Sequence, residues 1–175
     1  PTSGTVIIDA QWDLQFAYSA SDTLGLDGIA GAYWTGTELW VSKWNSDTMA
    51  TLNVNGSVIQ IFTIPGVTGV RSITSDGTNL FLGTANASIT EVNPVTKTLV
   101  NTIAITGAGS AIGSRFLTYD PTLDAGNGGF YIGNFNSDIA TISMTGATLG
   151  TIPFSTHGRA GIYGAAYDGI STGGP

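Results

Sequence analysis

The chain has no cysteine and a single histidine among its 175 residues, which excludes several kinds of chemistry. Without cysteine there can be neither disulfides nor thiolate metal ligands. One histidine, His157, cannot form a histidine-rich metal site, and no G-x-S-x-G nucleophile sequence accompanies it. We therefore expect no cysteine–histidine dyad and interpret His157 as a loop residue.

Basic residues are also scarce. Lysine and arginine together number 5 against 12 aspartates and glutamates, so the formal net charge is −7. Because nucleic-acid phosphates are bound by basic surfaces, we expect no nucleic-acid partner. No apolar run approaches the roughly 20 residues that cross a bilayer, so the sequence predicts no membrane span. The scarcity of lysine beside many serines and threonines favours an extracellular or cell-surface location.

The residues that are abundant indicate β-structure. Segments 70–75, 80–84 and 89–92 are short and rich in β-branched or aromatic residues, and turn sequences such as Asp76-Gly77-Thr78-Asn79 separate them. An Asp-Gly pair provides the positive φ that a tight hairpin requires. Together with a fourth segment at 99–105, these runs predict a four-stranded antiparallel meander.

This meander is one unit of a repeat. The three arginines of the chain, Arg71, Arg115 and Arg159, each follow the previous one by 44 residues. The sequence Asn45-Ser46-Asp47 recurs as Asn136-Ser137-Asp138. A period in the mid-forties with four strands per period is typical of β-propeller blades. The alternative is a two-sheet sandwich in which similar hairpins arose by chance.

We predict an all-β fold, a β-propeller arc of three to four four-stranded antiparallel blades that is part of a larger propeller, in a single domain over residues 1–175. The blades are expected at 29–66, 67–110 and 111–158, with the start of the next blade at 159–175. Propellers close with about four to eight blades, and an unclosed arc leaves strand edges exposed. We therefore expect the innermost strand at 162–167 to be covered by further blades of a longer chain, or by a second copy in a homo-oligomer.

The arginines and tryptophans are candidate binding residues. Arg71, Arg115 and Arg159 precede the innermost strands, so they should lie near one mouth of the central channel. There they would hold an anion or a sugar by bidentate hydrogen bonds. Alternatively, each arginine fastens neighbouring blades by bonding carbonyls or an aspartate, an interpretation that repetition at every blade favours. Trp44 is expected to be exposed beside a hairpin turn. The alternation of side chains along a strand places two other tryptophans, Trp34 and Trp40, between blades.

An enlarged turn in the third blade carries oxygen-bearing side chains. Asp120, Asp124 and Asn127 have the spacing D-x-x-x-D-x-x-N. Calcium favours several oxygen ligands on a flexible loop, so these residues form a candidate Ca²⁺ site. The spacing matches no EF-hand, and the alternative is a turn held by Asx hydrogen bonds. We expect no other cofactor.

Longer stretches of the chain resemble a known family. They include Trp12-Asp13-Leu14-Gln15-Phe16-Ala17-Tyr18, Phe62-Thr63-Ile64-Pro65-Gly66-Val67-Thr68-Gly69-Val70-Arg71 and Tyr163-Gly164-Ala165-Ala166-Tyr167-Asp168. These stretches are similar to a propeller module of secreted Bacteroidetes proteins, which typically carry a C-terminal type IX secretion sorting domain. The resemblance implies a secreted module that continues with further blades. It also implies O-glycosylation at Asp-Thr-hydrophobe sites, here Thr23 and Thr48.

Two functions follow as hypotheses. The first is a non-catalytic secreted or cell-surface module that binds a glycan or a protein surface, or that serves as a rigid scaffold. The second is a metal-dependent propeller hydrolase or lyase of the lactonase type. Three or more carboxylate, imidazole or amide side chains within metal-ligand distance at the channel mouth would favour the enzyme.

Overall fold

A computed structural model of the chain describes residues 19–108 and 113–169, which contain three antiparallel sheets of four strands each. Blade 1 consists of β1 (Ile29–Trp34), β2 (Leu39–Lys43), β3 (Thr48–Leu52) and β4 (Val58–Thr63). Blade 2 consists of β5 (Ser72–Ser75), β6 (Leu80–Gly83), β7 (Ser88–Asn93) and β8 (Thr98–Ala104). Blade 3 consists of β9 (Phe116–Asp120), β10 (Gly129–Gly133), β11 (Ile139–Ser143) and β12 (Thr148–Ile152). Strands that are consecutive in the chain are hydrogen-bonded neighbours, which confirms the predicted meanders.

Local turn chemistry sets the register of these sheets. Between β5 and β6, Asp76 Oδ1 accepts the N–H groups of Thr78 and Asn79, both at 2.8 Å. Gly77 then adopts a φ of 94°, which an L side chain rarely tolerates. The turn places Ser75 opposite Leu80, and the rest of the β5–β6 ladder follows from that pair.

The three blades fan out from a common centre. The innermost strands lie side by side, β1 against β5 and β5 against β9, while the outer strands β4, β8 and β12 are largely exposed. Blades 1 and 2 meet through a buried apolar cluster that includes Trp40, Ile73 and Leu82. Blades 2 and 3 meet through a second cluster that includes Phe81 and Phe130. The arrangement is an arc of a β-propeller, as predicted, and not a two-sheet sandwich.

Of the two tryptophans that were expected between blades, one is found there and the other is not. Trp40 is buried in the cluster between blades 1 and 2. Trp34 is 44% exposed, so its predicted position between blades was wrong. Trp40 lies opposite Tyr33 in the β1–β2 register, and successive residues of a strand point to opposite faces. Trp34 therefore lies on the other face of blade 1.

Three short segments of helix-like turns occur in the described ranges: α1 (Ala20–Leu24), α2 (Leu123–Gly126) and α3 (Phe154–His157). Of these, α2 is an irregular turn, because Asp124 and Ala125 have left-handed backbone. The sequence gives no signal for α1, because five residues are too few to show helical periodicity. Ser19 caps α1 by accepting the Asp22 N–H at 3.2 Å, and Gly25 ends it with a φ of 62°. Leu24 of α1 packs on the face of blade 1 that lies away from blade 2, in a cluster with Val41 and Leu52. Within the described residues no helix is long and apolar enough to cross a membrane.

Residues 162–167 do not form the predicted innermost strand. No strand is present between residues 159 and 169, because a strand needs a hydrogen-bonded neighbour. The backbone here bonds to the β10–β11 turn instead, from Gly161 N–H to Asn136 Oδ1 at 3.0 Å and from Ile162 N–H to the Phe135 carbonyl at 3.3 Å. Residues 1–18, 109–112 and 170–175 lie outside the described residues. The first of these ranges includes a strand that the alternation of Trp12, Leu14 and Phe16 predicts.

Buried serine hydroxyls fasten one blade to the next. Ser42 Oγ accepts the Gly31 N–H at 2.9 Å and donates to the Val70 carbonyl at 3.1 Å, which ties blade 1 to the chain entering blade 2. Ser72 Oγ donates in the same way to the Ser114 carbonyl at 3.3 Å, between blades 2 and 3. These serines make the carbonyl contacts that were expected of the arginines.

We expect Ser42→Ala to lower the free energy of unfolding by about 1–3 kcal/mol, because the Gly31 N–H and the Val70 carbonyl lose this buried partner. Urea denaturation of the 175-residue chain measures the change. Ser155→Ala is the control, since Ser155 is exposed and its replacement should change stability by less than about 0.5 kcal/mol. Equal effects of the two substitutions would contradict a fastening role for Ser42.

Candidate binding site at the channel mouth

A cavity of about 200 Å³ opens at the centre of the arc, at the end where the innermost strands begin. Its lining consists of Ile29, Ala30, Trp44, Arg71, Arg115 and Tyr163, and we call it the channel-mouth cavity. Arg71 and Arg115 reach it because each directly precedes an innermost strand, β5 or β9. Three of the four predicted binding residues, Arg71, Arg115 and Trp44, therefore come together here.

Arg71 bridges blades 1 and 2. Its Cζ lies 4.4 Å from the centroid of the Trp44 ring, a cation–π distance. Its Nη2 donates to Asn45 Oδ1 at 2.9 Å. Trp44 and Asn45 follow β2, so both partners of this blade 2 arginine belong to blade 1. These partners are an aromatic ring and a side-chain amide, whereas the alternative interpretation of the sequence expected a backbone carbonyl or an aspartate.

Arg115 makes the equivalent contact within its own blade. Its Cζ lies 4.0 Å from the centroid of the Phe135 ring, which follows β10 in blade 3. In blade 2 the residues after β6 are Thr84 and Ala85, so no ring is present for Arg115 to meet there. The Phe135 ring also packs edge-on against Tyr163, with 4.7 Å between centroids. Phe135 thus contacts both Arg115 and Tyr163, the two residues of this group that line the cavity.

The cavity concentrates positive charge. Burial lowers the pKa of Arg71 below the ordinary arginine value, the charge of Arg115 lowers it further, and Tyr163 raises it. The Nε atoms of Arg71 and Arg115 are buried and have no hydrogen-bond partner among the described residues. Two guanidinium groups therefore line one small space, in a chain whose net charge is −7.

The other predicted modification and binding residues lie elsewhere. Arg159 is exposed and does not line the channel-mouth cavity; its backbone N–H donates to His157 Nδ1 at 3.1 Å. Thr23 is exposed on α1. Thr48 is half-buried at the start of β3, where its hydroxyl accepts from Ser46 Oγ at 3.0 Å. Of the two threonines, Thr23 is the more accessible to modification.

The candidate calcium residues form a hydrogen-bonded turn. Asp120 is buried, and its Oδ1 accepts both the N–H and the hydroxyl of Thr122 at 2.7 Å. Asn127 Nδ2 donates to the backbone carbonyl of Asp124 at 2.7 Å. In the described ranges no three histidine, cysteine, aspartate or glutamate side chains are placed to hold a metal ion. The calcium site and the metal-dependent enzyme therefore stay predictions without support from this geometry.

A larger cleft of about 700 Å³ lies on the free face of blade 3, beside residues 165–169. Its lining is the counterpart of the blade 2 face that packs on blade 3. The cross-strand pairs Thr118–Tyr131 and Ile139–Ile152 in the cleft correspond to Thr74–Phe81 and Ile89–Ile103 in blade 2. This face has the residue pattern of a surface between blades, so we do not interpret it as a ligand pocket.

Sequence reasoning missed three residues around the channel mouth: Asn45, Phe135 and Tyr163. A signal for two of them was present, because both copies of the Asn-Ser-Asp repeat are preceded by an aromatic residue, Trp44 or Phe135. No local pattern indicated Tyr163. Its place in the cavity depends on the path of residues 161–163 along the β10–β11 turn.

No protein-family model and no curated protein matches the chain. Among solved structures, it is similar to glutaminyl cyclase from Myxococcus xanthus, with 17% identity and a TM-score of 0.57 over 81% of this chain and 62% of that one. It is also similar to the WD40 repeats of RRP9, with 13% identity and a TM-score of 0.53 over 76% of this chain and 40% of that one. This chain therefore spans less than two thirds of the length of either structure. Identities this low show the fold alone, and WD40 repeats build four-stranded propeller blades.

Proposed function

We propose that this propeller module is a non-catalytic binding module of a secreted or cell-surface protein, and that it recognises a glycan at the channel-mouth cavity. The observation that carries the proposal is the convergence of Arg71 and Arg115 beside two exposed rings. Trp44 is 48% exposed and Tyr163 is 68% exposed. Aromatic faces and guanidinium donors together provide the stacking surface and the hydrogen bonds with which a protein holds a sugar.

Two further features support the proposal. Arg71, Arg115 and Trp44 lie directly beside the ends of packed strands, so these three side chains are held in place before a ligand arrives. The extracellular location rests on the low lysine content and on the resemblance to propeller modules of secreted Bacteroidetes proteins. In such a protein, further blades would pack on the free face of blade 3.

A glycan array probed with the labelled 175-residue chain tests this function. We expect binding to a subset of glycans, and we expect the double variant Arg115→Gln/Tyr163→Ala to bind them at least tenfold more weakly, because it removes donors and a ring from the cavity. Arg159→Gln is the matched control, since Arg159 does not line the cavity. Thermal melting of each variant verifies that it is folded.

The glycans are then recovered and analysed by mass spectrometry. Intact glycans are expected from a binding module. Cleaved glycans would overturn the non-catalytic proposal in favour of the hydrolase or lyase. An array without any bound glycan, or equal loss in the Arg159→Gln control, would overturn the assignment of glycan binding to this cavity.

A further inference from the structure

The unused hydrogen-bond donors of the channel-mouth cavity indicate the chemistry of its ligand. A guanidinium group carries five N–H donors and no acceptor. Arg71 uses one nitrogen on Asn45, and the buried Nε atoms of Arg71 and Arg115 have no partner among the described residues. Arg71 and Arg115 both line the cavity, so an acceptor bound there can take hydrogen bonds from guanidinium N–H groups of both arginines.

Each arginine is held against an aromatic ring. Arg71 Cζ lies 4.4 Å from the Trp44 ring centroid, and Arg115 Cζ lies 4.0 Å from the Phe135 ring centroid. A neutral ring does not cancel the positive charge or accept all five N–H groups, so each guanidinium keeps donors for a ligand. A planar acceptor with two oxygens matches a pair of such donors, which is the geometry of a carboxylate in a bidentate pair.

The balance of charge favours a ligand with one negative charge. Arg71 and Arg115 line the same cavity, and the charge of Arg115 lowers the pKa of Arg71, so the two cations repel each other and an anion between them relieves that repulsion. The chain as a whole carries −7 and repels polyanions that approach over a wide surface. A single anionic group inserted into the cavity gains the local attraction and avoids most of that repulsion.

We propose that the channel-mouth cavity binds an acidic sugar, a pyranose with one carboxylate, whose carboxylate lies between Arg71 and Arg115. The sugar ring then packs on the exposed face of Tyr163, which borders the same cavity. This inference rests on the proposed glycan binding and specifies its ligand class. A phosphate or an acidic peptide shares the negative charge but presents no pyranose ring to Tyr163.

The chain has three arginines, so its NMR spectrum contains three arginine Nε–Hε signals. Single Arg→Lys variants assign each signal to its residue. Sodium glucuronate, glucose, sodium acetate and a glutamate-containing tripeptide are titrated separately at low salt, and the arginine Nε–Hε signals are recorded by NMR. We expect glucuronate to shift the signals of Arg71 and Arg115 but not that of Arg159. Arg115→Gln should weaken glucuronate binding roughly 10- to 100-fold, and glucose should cause no shift.

Each other outcome overturns a stated part of the inference. Equal shifts of all three arginines would show non-specific ion binding. Acetate or the tripeptide binding as tightly as glucuronate would remove the sugar from the proposal. Neutral glycans that bind on the array, lose binding in the single variant Tyr163→Ala and keep it in Arg115→Gln would leave the glycan-binding function standing and exclude the acidic ligand. Failure of the inference is thereby distinguished from failure of the function.

Discussion

Phe81→Ala is expected to lower the free energy of unfolding by about 3–5 kcal/mol, and the melting temperature by roughly 10 °C. Phe81 is completely buried between blades 2 and 3, with its ring centroid 4.8 Å from that of Phe130 and 6.5 Å from that of Tyr119. Truncation removes a large apolar side chain and leaves a cavity that rigid strands on both sides cannot close. Domains of this kind have only about 5–15 kcal/mol of total stability.

Urea denaturation and calorimetry of the full chain measure the effect. Val95→Ala is the control, because Val95 is 87% exposed in the β7–β8 turn and its truncation should change stability by less than about 0.5 kcal/mol. If Phe81→Ala cost less than about 1 kcal/mol, the packing of blade 2 on blade 3 through this ring would be wrong.

Gly83→Ala is expected to destabilise the chain by about 1–3 kcal/mol or more, for a purely steric reason. Gly83 ends β6, opposite Ser72 and Ile89 in the register. A Cβ built on it overlaps the Ser114 carbonyl oxygen and Ser72 Oγ. Ser72 and Ser114 are buried near the starts of β5 and β9, and the hydrogen bond between them holds the two segments together. Neither group therefore has room to move away from an added methyl group.

Gly164→Ala is the matched control for this substitution. No atom lies within 4 Å of a Cβ built on Gly164, and its backbone is not in the left-handed region. We expect Gly164→Ala to leave the urea midpoint unchanged or slightly raised, since alanine restricts the unfolded chain. A Gly83→Ala variant as stable as Gly164→Ala would show that the close approach of blades 2 and 3 at Gly83 does not exist.

The strands were predictable from the sequence to within two residues at nearly every end. The segments predicted at 80–84 and 99–105 are observed as β6 (Leu80–Gly83) and β8 (Thr98–Ala104). This success has a local cause, because alternation of side chains and turn residues such as Asp76-Gly77 act over a few neighbouring positions. The spacing of the arginines extended the prediction, since residues that recur before each innermost strand must emerge at the same end of the arc.

The sequence by itself thus determined the four-stranded units, their turns and the fold class, all of which depend on contacts between neighbours in the chain or on an exact repeat. Only the tertiary structure decided the partners at the channel mouth. Arg71 stacks on Trp44 of the preceding blade, whereas Arg115 stacks on Phe135 of its own blade, because blade 2 has Thr84 where a ring would be required. Tyr163 joins them because residues 161–163 bond to a turn instead of pairing as a strand. Such choices depend on which distant groups compete for one donor or ring, and no local pattern contains that information.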